Sequence, residues 1–146
     1  MFSEMLQNRV LCCSVVSFLA AQLLKLLCSL RFHQKINWQR MFGMGGMPSS
    51  HTAFVFSMAL MTGLAEGFAS TYFALAFILM AIVIYDALGV RAETGKQGKV
   101  LNRILREVLI EGKPITEDRL KELVGHTPLE VIAGALVGLI TVLIMK

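Results

Sequence analysis

The sequence predicts an all-α fold: an integral membrane bundle of about four transmembrane helices, with one or two short amphipathic helices in the loop before the last span. Three observations predict it. Hydrophobic residues make up 55% of the 146, and the mean hydropathy is +0.66, too apolar for an ordinary soluble domain. Four segments, at about 10–30, 52–69, 71–90 and 127–145, reach or approach the roughly 20 residues that a helix needs to cross a bilayer. The basic residues are also divided unevenly by those spans. Arg31, Lys35, Arg40, Arg91, Lys96, Lys99, Arg103, Arg106, Lys113, Arg119 and Lys121 all fall in the 31–51 and 91–126 loops, with Arg9 and Lys146 on the other side. The length suits one membrane-embedded domain over 1–146. The positive-inside rule then predicts cytoplasmic loops, outward termini and residence in the cell membrane.

The first span carries Cys12, Cys13 and Cys28, an odd count of thiols that reads as small core residues and not as a disulfide framework. A cleaved signal peptide is its rival, since Arg9 precedes the run and Ala20-Ala21 imitates a cleavage site. The run continues to Leu30, longer than a signal peptide's apolar region. Lys25 lies two-thirds of the way along, where a charge costs about 2.5 kcal/mol or more near the bilayer centre. Such a lysine either snorkels to the interface or serves a ligand.

The loop that follows ends in "GGMPSSHTAF", residues 45–54. Ser49 or Ser50 suits the N-cap of the second span, placing His51 in its first turn, where unpaired N–H groups and the helix dipole attract anions. Gly43, Gly45 and Gly46 let a bulky head group approach the main chain. Arg40, just before them, is placed to meet an anion. No G-x-x-x-x-G-K-[ST] occurs, so this cradle is not a nucleotide P-loop.

The connection at 65–70 is short enough to make spans two and three a hairpin. Span three ends in "YDALGVR", where Asp86 and Arg91 read as an ion pair between helices, or Arg91 as a phosphate ligand. In the loop beyond, Val100, Leu101, Ile104, Leu105, Val108 and Leu109 recur at helical spacing, which predicts a basic amphipathic helix on the membrane surface or a partner. Thr116 caps a second short helix that Gly125 ends.

"GHTPLEVIAG", residues 125–134, repeats the design of the first histidine: His126 immediately precedes the last span. Thr127, Pro128 and Glu130 fit a capping box with proline at N1. The same Glu130, four residues from His126, also suits a carboxylate that orients an imidazole and stabilises its charged form. Two histidines at helix mouths on one side, with glycines and cations nearby, point to chemistry on an anionic head group. Other classes fare worse. With 16% charged residues and no aromatic-basic interleaving, nucleic acid is an unsuitable partner despite the net charge of +4. His51, His126 and Glu130 form a conceivable three-ligand zinc set, but no H-E-x-x-H is present.

At these residues the chain resembles the divergent branch of the type-2 phosphatidic acid phosphatase family, related to acid phosphatases and vanadium-dependent haloperoxidases. "GGMPSSHTA", "YDALGVRAETGKQ" and "GHTPLEVIAGALVG" carry the resemblance, which runs from about Lys25 to Leu139. It implies a phosphate-binding set of Lys25, Arg40, Ser49, Ser50 and Arg91, with His51 as general acid and His126 as a nucleophile oriented by Glu130. It further implies hydrolysis of a lipid phosphomonoester or pyrophosphate through a phosphohistidine, sensitive to vanadate and needing no metal. Ser50 replaces the family's glycine, Glu130 its aspartate, and the usual Ser-Arg before the second histidine is absent. The family core has six membrane helices where four are predicted here, so a reduced bundle, a homodimer or a loss of activity each accounts for the difference. A non-catalytic lipid-phosphate binder, transporter or scaffold is the alternative function.

Overall fold

The computed structural model describes residues 2–31, 46–90, 93–95, 97–98, 100–102 and 126–146. Five helices have defined ends: α1 (Phe2–Gln7), α2 (Arg9–Arg31), α3 (Ser50–Glu66), α4 (Thr71–Leu88) and α5 (Pro128–Met145). Described residues between 93 and 102 are helical as well, while 103–125, with most of the predicted amphipathic pair and Thr116, lie outside the described residues. The molecule is a helical membrane bundle, and its helices α2 to α5 fall on the four predicted apolar segments to within a few residues. The short helix α1 was not predicted, because six residues are too few for an apolar period to register.

Helices α2 to α5 each begin where the sequence supplies a cap. Asn8 Oδ1 accepts from Leu11 N–H at 3.0 Å ahead of α2, Ser49 from Thr52 N–H ahead of α3, and Ser70 from Phe73 N–H ahead of α4. Among the described residues, α2, the helix beginning at Thr71, and α5 are long and apolar enough to cross a membrane. At 17 residues, α3 is shorter, and it stands in the middle, packed on α2, α4 and α5.

The reason lies in its composition. The buried positions of α3 are mostly small or hydroxylated: Ser50, Thr52, Ala53, Ser57, Ala59, Thr62 and Gly63 are among them. Small residues admit close helix approach in lipid, where apolar side chains gain little from leaving one apolar medium for another. The facing stripe of α2, Cys13, Ser17 and Ala21, is wholly buried. Ser17 Oγ donates to Ala53 O at 3.0 Å and Ser57 Oγ to the same carbonyl at 2.8 Å, so these hydroxyls are satisfied inside the bundle. On the other flank, a Cβ on Gly138 would stand 3.0 Å from Ala53 O, and one on Gly134 would run into the Ser49 carbonyl oxygen. The pair Gly134 and Gly138, one turn apart, is what lets α5 lie against α3.

The fourth helix behaves differently. Only Ala87 of α4 is buried, and Tyr72, Leu75, Ile78, Ile82 and Tyr85 face outward, as suits a helix at the lipid boundary. Because the helices alternate in direction, the end of α2, the start of α3, the end of α4 and the start of α5 gather at one end.

Candidate active site

That end holds the two histidines. The start of α3 is tied to the first turn of α5 by one main-chain hydrogen bond, Ser49 N–H to Glu130 C=O, at 3.0 Å. A second, His126 N–H to Ala87 C=O at 3.0 Å, fixes the residue before α5 to the end of α4. With both helix starts pinned, the rings of His51 and His126 stand 6.4 Å apart, centroid to centroid, with their planes inclined at 52°. His126 is buried and His51 exposed, so the pair spans from the bundle interior to its surface.

Glu130 makes both contacts that its position suggested. Its Oε2 accepts from Thr127 N–H at 2.9 Å and lies 3.2 Å from His126 Nδ1, while Thr127 Oγ1 accepts from Glu130 N–H at 3.3 Å. The capping box is complete, and the oxygen that closes it also holds the imidazole. A carboxylate in that position favours Nδ1 as the protonated nitrogen and leaves Nε2 as the basic one.

The serines are backbone furniture as well as candidate ligands. Ser49 and Ser50 are both buried. Ser49 Oγ accepts from Thr52 N–H at 3.3 Å and from Thr52 Oγ1 at 2.9 Å, so it is the N-cap. Thr52 is a site neighbour that sequence pattern alone does not single out, although a hydroxyl three residues beyond a capping serine is within reach of it. Lys25 is half-buried on α2, eleven residues or three turns beyond Ser14, and so continues the inward face of that helix. Its aliphatic stem runs beside Gly46, where a Cβ would be 3.7 Å away. Gly46 has φ of 90°, a conformation that glycine adopts without strain.

The structure therefore brings together Lys25, Ser49, Ser50, His51, His126 and Glu130 at one end of one chain. Arg40 and Arg91 lie outside the described residues. Among the described residues, no three His, Cys, Asp or Glu side chains form a set able to hold a metal ion, so the arrangement lends no support to His51, His126 and Glu130 as zinc ligands.

The site is thus defined by paired imidazoles at the mouths of two helices in a membrane bundle. The comparison with known families is specific: a model of the Divergent PAP2 family matches residues 6–141, and the chain belongs to that family. It is also similar to the membrane protein YuiD of Bacillus subtilis (strain 168), with 33% identity over 152 aligned positions covering 97% of this chain and 96% of that one. No solved structure matches the chain.

Proposed function

We propose that this protein is a lipid-phosphate phosphatase that cleaves a phosphomonoester or pyrophosphate head group through a phosphohistidine. The observation that carries the reading is the 6.4 Å separation of two imidazoles, one of them held by a carboxylate. A reacting group in contact with a nucleophile on one side and a proton donor on the other needs about 3 Å at each.

In this reading the head group enters at the interface, and its phosphate is gripped by the Lys25 ammonium and the N–H groups that open α3, with Arg40 and Arg91 as further cations. These fixed charges stabilise the extra negative charge at phosphorus as five-coordination develops. His126 Nε2 attacks phosphorus while the bond to the lipid oxygen breaks. His51 gives that oxygen a proton. Water then attacks the phosphohistidine, giving its proton to His51, and the phosphorus–nitrogen bond breaks to release phosphate and restore His126. Glu130 stabilises the charge that passes through the His126 ring. The lipid tails stay in the bilayer, so no enclosed pocket is required.

The test is phosphate release from phosphatidic acid and from a polyprenyl pyrophosphate by the purified protein in detergent, with chelator present and with or without vanadate. Metal-independent release that vanadate blocks and His126→Ala lowers by about a thousandfold or more is the expected result. Turnover that persists in His126→Ala removes that residue as nucleophile. Lipid-phosphate binding without turnover in the wild type would assign the bundle to carrying its ligand instead.

A further inference from the structure

We infer that a groove at the opposite end of the bundle from the histidines holds one phospholipid whose head group carries both a phosphate and a primary amine, the chemistry of phosphatidylethanolamine. The groove lies between α2 and α4 with α3 as its floor, an open recess of about 660 Å³, within the ~300–1,000 Å³ typical of single-ligand sites. Leu11, Phe54, Met58, Leu75 and Leu79 line it. An apolar recess that opens sideways into lipid is filled by hydrocarbon, since the bilayer core offers no water to fill it.

The mouth of the groove selects the head group. Arg9 and Glu66 both line it, and both stand at the wrong ends of their helices. Arg9 is the first residue of α2, a cation at the positive end of the helix dipole, and Glu66 is the last of α3, an anion at the negative end. Neither side chain has a hydrogen bond or ion pair among the described residues. Two opposite charges, each disfavoured by its own helix and unmatched among the described residues, fit a zwitterion. A lipid phosphate accepts from the Arg9 guanidinium in a bidentate pair and benefits from the same dipole that disfavours Arg9. A primary ammonium donates to Glu66, which a quaternary ammonium, having no N–H, cannot do. With its acyl chain along Phe54 and Met58, such a lipid occupies the leaflet opposite the histidine site and completes the packing of α4.

Native mass spectrometry of the full chain in mild detergent, titrated with phosphatidylethanolamine, phosphatidylcholine and phosphatidylglycerol of matched acyl chains, tests this. One phosphatidylethanolamine should remain per chain, with about tenfold preference over the other two, the value of one charge-assisted hydrogen bond. Arg9→Gln with Glu66→Gln should abolish the preference at unchanged helix content. Ala76→Trp, which fills the groove, should abolish retention itself, and His126→Ala should leave both intact, separating this site from phosphate chemistry. Equal retention of the three lipids by the wild type overturns the inference, as does undiminished retention in Ala76→Trp. A dimer mass that disappears in Ala76→Trp overturns it too, in favour of a second copy as occupant.

Discussion

Glu130 is the residue at which structure and proposed chemistry are hardest to separate, because one carboxylate oxygen accepts from both the Thr127 N–H and the His126 ring. Substitution can separate them. Glutamine also serves at the N3 position of a capping box, so Glu130→Gln keeps an acceptor for the Thr127 N–H. It cannot stabilise a charged imidazole, and a comparable change in a hydrolase triad costs on the order of 10⁴ in turnover. Glu130→Gln should therefore unfold within a few degrees of the wild type while phosphate release falls by at least about a hundredfold. Thr127→Ala should do the reverse, losing about 1 kcal/mol of stability with a smaller loss of activity. Thermal unfolding and phosphate release measured on the same preparations check both. If Glu130→Gln destabilises as much as Thr127→Ala and turnover survives, Glu130 is only a cap. At this scale the sequence was legible wherever the information was local. The serine cap of α3, Pro128 at N1 and the Glu130–Thr127 reciprocity each depend on residues within four of one another. Thr52 is not legible in the same way, because a hydroxyl on an apolar run looks incidental until its acceptor, Ser49 Oγ, is known.

At the scale of helices, the geometry of the histidine pair rests on α3 and α5 meeting closely. Gly134 faces the Ser49 carbonyl, and any Cβ there must push the two helix starts apart. The Ser49–Glu130 main-chain bond lies at the same contact, so the displacement falls on His51 and His126 directly. Overpacking of this kind typically costs about 1–3 kcal/mol. Gly134→Ala should show that loss in thermal unfolding together with a disproportionate fall in phosphate release. Leu136→Ala, on the exposed face of α5, should affect neither by much. Equal, small effects of the two substitutions would mean that the helix contact does not set the site. The signal was present in the sequence as two glycines four apart in an apolar run, a known mark of close helix packing, yet glycines in "AGALVG" give no hint of their partner. The second span is the shortest of the four, and its Ser, Thr, Ala and Gly content belongs to the central helix, shielded from lipid by its neighbours.

For the molecule as a whole, what sequence could not supply was the convergence of residues 75 positions apart, which follows from alternating helix directions and two main-chain ties. Lys25, His51, His126 and Glu130 come from α2, from α3 and from the start of α5 in one chain, so these four meet without the further helices of a six-helix core. Orientation follows from charge. Eleven of the 14 basic residues belong to the loops at the histidine end, and loops this short obey the lysine–arginine bias. The histidine site is thus expected to face the cytoplasm. In a cysteine-free background, Lys146→Cys should react with a membrane-impermeant maleimide in intact cells, whereas Thr94→Cys, exposed beyond α4, should react only after the cells are opened. The reverse pattern would turn the bundle over, giving the histidines access to head groups of the outer leaflet. The chemistry assigned to His126 would be untouched by that result, but the lipid pool on which it works would be a different one.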